Sequence, residues 1–105
     1  MIKEMTYKLY PVDLEEFEEF EGELREMLDL DCREFQSIFS EEGKEYLYLG
    51  KKGDLDLFVD ISRNEVEILE IYSNENEKEE LISRDLKDIE KCMKKLKEKY
   101  NKIFE

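Results

Sequence analysis

Three aspartates alternate with apolar residues in GDLDLFVDISRNEVEI, residues 53–68. Paired carboxylates can act as general acid and base, and converging carboxylates can hold Ca²⁺ or Mg²⁺. Asp56 and Asp60 lie four residues apart, which on one strand separates them by about 13 Å. An acid–base pair needs a shorter distance, and Asp54 lies in the preceding turn. The spacing therefore favours the polar side of a strand over a catalytic or metal-binding pair.

The rest of the sequence offers few other catalytic groups. It contains no histidine, which removes the commonest general base and the usual zinc ligand. The two cysteines, Cys32 and Cys92, lie far apart and form no CxxC pair, a pattern typical of reduced cytosolic thiols. No glycine-rich phosphate loop follows a strand. We therefore expect no catalytic residue, no metal site and no cofactor.

Charge dominates the composition of this 105-residue chain. Charged residues make up 45%, and the formal net charge is −13. Residues 1–90 contain 28 acidic and 11 basic residues, whereas residues 91–105 contain six lysines and two glutamates. A surface this acidic repels the phosphates of nucleic acid and favours a basic protein as partner. Surplus glutamate also keeps proteins soluble, which is an alternative reason for the charge.

Length and hydropathy predict a single domain, residues 1–105, with one modest core. No window is apolar enough for a transmembrane helix. The stretch MIKEMTYKLY has no apolar core of the kind that a signal peptide requires. We expect a cytoplasmic protein without a membrane partner.

The apolar pattern predicts a strand and then a helix. MTYKLY (5–10) alternates as a strand, and VDLEEF (12–17) begins a helix with Asp13 as N-cap and Glu16 completing a capping box. The apolar residues of this helix form one stripe: Leu14, Phe17, Phe20, Leu24 and Leu28. Glutamates cover the rest of its surface: Glu15, Glu16, Glu18, Glu19, Glu23 and Glu26.

Four strands are predicted next, over REFQSIFS (33–40), EYLYLG (45–50), LDLFVDI (55–61) and EVEILEIY (65–72). In the third of them, Leu55, Leu57, Val59 and Ile61 face the core, with Asp56, Phe58 and Asp60 on the opposite side. The apolar phase of the fourth shifts between Ile68 and Leu69. This shift predicts a bulge or a strand covered on both faces.

ELI (80–82) is predicted as a last short strand, and the final helix is predicted to begin at Ser83. Its apolar residues recur at helical spacing: Leu86, Ile89, Met93, Leu96, Tyr100 and Ile103. The stripe favours packing on the sheet, with a coiled-coil seam as the alternative. The prediction is an α+β domain: an antiparallel meander with an N-terminal and a C-terminal helix packed on one face.

The stretch LYLGKKGDLDLFVDISRNEVEILEI, followed by ELISRDLKDIEKCMKKL, resembles the later half of the SMI1/KNR4 (SUKH) superfamily. The resemblance covers roughly residues 46–97, and the matching positions are Gly50, Gly53, Asp54, Asp60, Val66, Ser83 and Leu86. The family's LP-x-x-hydrophobic segment is missing after the first helix, and its paired glycine is the single Gly53. The resemblance implies a bacterial immunity protein that neutralises a toxin, often a nuclease.

Charge independently favours the same function, because an acidic protein can occlude the basic cleft of a nuclease. Two sets of residues are candidate partner-binding sites: Asp54, Asp56, Phe58 and Asp60 in the hairpin, and Glu15, Glu18, Glu19, Glu23 and Glu26 in the first helix. We prefer the hairpin, because a sheet face holds its side chains rigidly and Phe58 could anchor an interface.

Two other functions fit the same sequence. One is a phage or mobile-element inhibitor of a host defence nuclease, acting by nucleic acid mimicry. The other is a non-catalytic regulatory subunit that dimerises through its final helix. The expected oligomeric state is a monomer or a weak homodimer.

Overall fold

The computed structural model describes residues 2–10, 14–31, 38–41, 43–60, 67–73 and 79–103. Its elements are β1 (Ile2–Leu9), α1 (Leu14–Leu28), β2 (Ile38–Glu41), β3 (Lys44–Lys52), β4 (Leu55–Asp60), β5 (Glu67–Ser73) and α2 (Glu79–Lys99). Their order, strand, helix, four strands and helix, confirms the prediction. The proposed N-cap Asp13 and residues 33–37 of the second predicted strand lie outside the described residues.

The five strands form one antiparallel sheet in the order β1-β5-β4-β3-β2. Strands β2 to β5 make the predicted meander, and β1 pairs with β5, the last strand in the chain. β1 and β2 therefore lie on opposite edges. Because α1 connects these two edge strands, the chain crosses the width of the sheet between them.

The core lies between one face of the sheet and the two helices. From β4, Leu55, Leu57 and Val59 are no more than 1% exposed. They share one apolar cluster with the helix residues Phe20, Leu24, Leu28, Ile89, Met93 and Leu96. The predicted α+β fold, with both helices on one face, is therefore confirmed. Leu86 is only partly buried at the edge of this cluster, and Ile61 lies outside the described residues.

The two helices lie side by side and run antiparallel. The ring of Phe20 meets that of Tyr100 edge to face, with centroids 5.8 Å apart. Further along α1, Met27 Sδ accepts a hydrogen bond from Cys92 Sγ at 3.9 Å. Residues later in α1 thus contact residues earlier in α2, as antiparallel packing requires.

α1 ends in a cap that directs the chain back to the sheet. Asp29 adopts a φ of 50°, and the N–H of Leu30 donates to the carbonyl of Arg25 at 3.0 Å, the pattern of a Schellman motif. Asp31 then exchanges two backbone hydrogen bonds with Lys51 of β3. This bridge fixes the end of the crossing against the sheet.

The predicted start of the last helix is wrong. α2 begins at Glu79, and ELI (80–82) belongs to its first turns rather than to a strand. Ser83 is consequently an exposed residue inside the helix and not its N-cap. Glu79 and Glu80 lie in the first turn, where the helix dipole favours negative charge.

Of the two alternatives predicted for the shift between Ile68 and Leu69, the bulge is wrong, because β5 pairs with both neighbours in unbroken register there. The register shifts lie elsewhere. One falls between Lys3 and Met5 of β1, and the other between Tyr48 and Gly50 of β3. Gly50 has a φ of 133°, a conformation that favours glycine and accommodates the β3 bulge.

Leu57→Ala and Ile89→Ala should each lower the free energy of unfolding by about 2–5 kcal/mol, because both remove methyl groups from a closed core. Both residues are 0% exposed. Urea denaturation measures the change. Leu81, which is 38% exposed, supplies the control: its alanine variant should change stability by about 0.5 kcal/mol or less. Equal costs at all three positions would show that the core lies elsewhere.

Candidate functional site

The predicted hairpin residues divide between a sheet face and a turn. Asp56, Phe58 and Asp60 alternate with the buried residues of β4, so they lie on the face opposite the helices, which we call the outer face. Asp54 lies in the exposed turn between β3 and β4. In that turn Gly53 has a φ of 60°, and a Cβ there would overlap the buried carboxylate of Asp85 on α2.

Phe58 is the centre of an aromatic cluster on the outer face. Its ring centroid lies 5.0 Å from that of Tyr48, 5.7 Å from that of Tyr72 and 6.4 Å from that of Tyr46. These four rings come from three adjacent strands, β3, β4 and β5. The sequence suggested an aromatic side chain set among acids, whereas Phe58 is half-buried among tyrosines.

Asp56 is already bound within the chain. It is 9% exposed, and its Oδ1 accepts a hydrogen bond from the Tyr48 hydroxyl at 2.7 Å. The ammonium group of Lys51 lies 3.4 Å from the same oxygen. Because strand register places Lys51 directly opposite Asp56, the pairing follows from the sheet itself.

Glu70 of β5 repeats this arrangement, although no sequence pattern distinguished it from the other glutamates. It is 4% exposed, and its carboxylate accepts hydrogen bonds from the Tyr72 hydroxyl and from Lys3 Nζ, both at 2.9 Å. The bond to Glu70 raises the pKa of Lys3. Only the pairing of β1 with β5, which local sequence does not reveal, brings Lys3 to Glu70.

The outer face carries balanced charge among the side chains that the structure describes. Strand register places three acids and three bases on it: Asp56, Asp60, Glu70, Lys3, Lys8 and Lys51. The strongly acidic character of the chain is therefore not concentrated there.

The exposed side of α1 differs from the outer face. Four carboxylates on it, Glu15, Glu18, Glu19 and Glu26, are exposed, and we call them the acidic stripe. None of the four forms an ion pair with a residue that the structure describes. Their charges are available to a partner.

Glu23, the fifth predicted residue on this helix, joins the two helices instead. Its carboxylate accepts a hydrogen bond from Lys99 Nζ, which lowers the pKa of Glu23 and raises that of Lys99. The side chain is half-buried at the seam between α1 and α2. It therefore contributes less to an exposed binding surface than the acidic stripe does.

A basic stripe lies on the neighbouring helix. Lys87, Lys91, Lys94 and Lys95 of α2 are all exposed, and their three- and four-residue spacing places them on the side away from the core. Glu90 and Glu98 are exposed at the same spacing, so the stripe is basic in its net charge rather than uniformly basic. Since α1 and α2 are adjacent, the surface of the helix layer presents acidic and basic stripes side by side. The acidic stripe and the outer sheet face point in opposite directions, so one flat interface cannot cover both.

Glu21 is a buried carboxylate that sequence reasoning missed. It is 8% exposed, and its Oε1 lies 2.7 Å from Nη2 of Arg25, one helical turn later. Glu21 Oε1 and Arg25 Nε form no aligned hydrogen bond, so the contact is an ion pair only. Burial raises the pKa of Glu21, with Arg25 opposing and Glu18 adding to the effect. The four-residue spacing of Glu21 and Arg25 is visible in the sequence, whereas the burial of Glu21 is not.

The remaining reactive groups show no site in the described residues. Cys92 is 5% exposed, and burial raises the pKa of its thiol, which disfavours the nucleophilic thiolate. Cys32 lies outside these ranges. No three acidic or cysteine side chains among the described residues group closely enough to hold a metal ion. The helices in these ranges are all too short or too polar to cross a membrane.

Comparison with known proteins identifies no relative. No protein-family model matches the sequence, no curated protein is detectably similar to it, and no solved structure matches the fold. The resemblance of residues 46–97 to the SUKH superfamily stays a prediction from motifs.

Asp56→Ala should lower the free energy of unfolding by about 1–3 kcal/mol, because it leaves the Tyr48 hydroxyl and Lys51 without their acceptor. Asp54→Ala is the matched control. This variant removes the same charge from an exposed turn residue that lies two positions before Asp56. Its free energy of unfolding should therefore change little. Thermal and urea unfolding of the two variants make the comparison. Equal stability of both would show that the Tyr48–Asp56 bond contributes nothing.

Glu21 should make the fold more stable as the pH is lowered from 7 to 5. Its raised pKa means that the folded state takes up this proton before the unfolded state does, so folding gains free energy as the pH falls through that pKa. Glu21→Gln removes the ionisation. Urea denaturation at pH 7 and at pH 5 measures the free energy of unfolding of both proteins. On going from pH 7 to pH 5, wild type should gain more of this free energy, or lose less of it, than the variant does. The opposite order would contradict the assigned burial.

Proposed function

We propose that this chain is a non-catalytic inhibitor of the immunity-protein type, which binds a basic, nucleic-acid-acting toxin in the cytoplasm and blocks it. The observation that carries the proposal is the acidic stripe, four exposed carboxylates that no described residue neutralises. The net charge of −13 and the SUKH resemblance support it.

The acidic stripe fits this role better than the hairpin that the sequence favoured. Docking on Asp56 would require a partner to compete with Tyr48 and Lys51 for a carboxylate that is already nearly buried. The four carboxylates of the acidic stripe are exposed, and no described residue forms an ion pair with them. Their backbone is also held in place, because Phe20, Leu24 and Leu28 anchor the opposite side of the helix in the core. A preorganised helix loses less entropy on binding.

Inhibition by this surface requires no chemistry from the chain. Proteins that act on nucleic acid hold its phosphates with lysine and arginine side chains. Glutamates on a rigid helix can form charge-assisted hydrogen bonds to the same side chains and exclude the nucleic acid. The negative field also steers encounter, which accelerates association with a basic protein.

Reversing charge on the acidic stripe should weaken partner binding. The tagged chain is used to capture partners from the source cell, and the captured proteins are identified by mass spectrometry. Glu19→Lys/Glu26→Lys should bind the principal basic partner at least about ten-fold more weakly than wild type. Glu80→Lys/Glu90→Lys is the control: it makes the same change in net charge at exposed positions of α2. It should retain most of the affinity.

Two further measurements distinguish the alternatives. Association should slow as salt is added, since exposed charges are screened over about 8–10 Å at physiological ionic strength. Asp54→Lys/Asp60→Lys tests the hairpin. A loss of binding confined to this pair would move the docking site to the β3–β4 turn and outer face. Binding that withstands all three double variants and added salt would contradict the electrostatic basis of the proposal.

A further inference from the structure

We propose that the acidic stripe of α1 and the basic stripe of α2 together form a docking surface for a second copy of this chain. The two stripes lie side by side on exposed helix surfaces and carry opposite charge. A second copy presents the same pair of stripes, so the surface is complementary to itself.

Symmetry selects one arrangement of the two copies. A two-fold axis between two facing helix layers, parallel to the helices, places α1 of each copy over α2 of the other. Acidic stripes then meet basic stripes at both contacts, as a closed dimer requires. An axis perpendicular to the helices would instead place α1 over α1 and α2 over α2, which opposes like charges. Charge therefore favours the first orientation.

Gly22 gives an independent reason to expect close contact on this surface. It lies inside α1 among Glu18, Glu19 and Glu26, it is exposed, and a Cβ at this position would meet nothing within 4 Å. Glycine within a helix is destabilising relative to alanine. Nothing in the packing of the described residues requires glycine here. A position without a side chain does, however, let the helix of a second copy approach closely.

The expected dimer is weak. A single exposed ion pair contributes little to binding, so several must form together. The net charge of −13 on each copy opposes association. At physiological salt this repulsion is screened beyond about 8 Å, whereas pairs in contact are screened less. The dimer would cover the acidic stripe, so self-association and binding of a basic partner would exclude each other.

A charge-exchange experiment on the purified chain tests the dimer without any partner. In one variant, Glu18, Glu19 and Glu26 are changed to lysine, which makes both stripes basic. In the other, Lys87, Lys91 and Lys94 are changed to glutamate, which makes both acidic. Sedimentation equilibrium at physiological salt and high protein concentration should show wild type approaching twice the monomer mass. Each variant alone should be monomeric, and their equimolar mixture should associate again.

Gly22→Gln is a second probe that leaves every charge in place. Its unfolding free energy should rise, because glutamine is a better helix former, while its self-association should be at least ten-fold weaker. The proposal is overturned if wild type is monomeric, if the mixture stays monomeric, if either charge variant dimerises alone, or if Gly22→Gln associates as wild type does. None of these results bears on binding of a basic protein, which the partner experiment tests separately.

Discussion

The burial of one apolar layer between the sheet and two helices is the constraint on which the rest of this structure depends. With 45% of its residues charged, the chain has apolar side chains for one such layer and little more. Each helix turns a single apolar side inward, so that Leu24 and Ile89 belong to the same buried cluster as Leu57 of the central strand. The outward sides of the helices must then carry the charges. The charged stripes are thus a consequence of the core.

The outer face of the sheet also has few apolar side chains, and it is stabilised differently from the core. Both described helices lie on the opposite side, so strand side chains have to stabilise this face themselves. The ring of Phe58 packs against the tyrosine rings. The carboxylates of Asp56 and Glu70 accept hydrogen bonds from tyrosine hydroxyls, and each also pairs with a lysine. Carboxylates used in this way stabilise the sheet but have little charge left to attract a partner. For this reason the proposed binding surface lies on α1 rather than on the sheet.

Local periodicity was sufficient to predict the layers but not the neighbours across them. Alternation in β4 correctly placed Phe58 opposite Leu57. It could not place Lys3 beside Glu70, since β1 and β5 are distant in sequence and the shift between Lys3 and Met5 changes the register of β1. The same limit explains ELI (80–82): three residues fit the start of a strand or the first turns of a helix equally well, and only packing decides. Likewise, which glutamate of α1 faces α2 depends on how the two helices pack, and local sequence did not distinguish Glu23 from its neighbours.

The antiparallel packing of α1 on α2 explains why the acidic and basic stripes form no ion pairs with each other among the described residues. Glu23 and Lys99 meet at the seam, where side chains of adjacent helices are close enough to bond. The two stripes lie further round each helix, away from the seam, and adjacent helix axes are separated by about 8–10 Å. Charges there can be neutralised by solvent ions or by another molecule, but poorly by the neighbouring helix. In the two proposed interactions, a basic protein or a second copy would supply cations to the same four glutamates. Which of them occupies the stripe would then depend on their concentrations and affinities, so the two proposed interactions are linked by mass action.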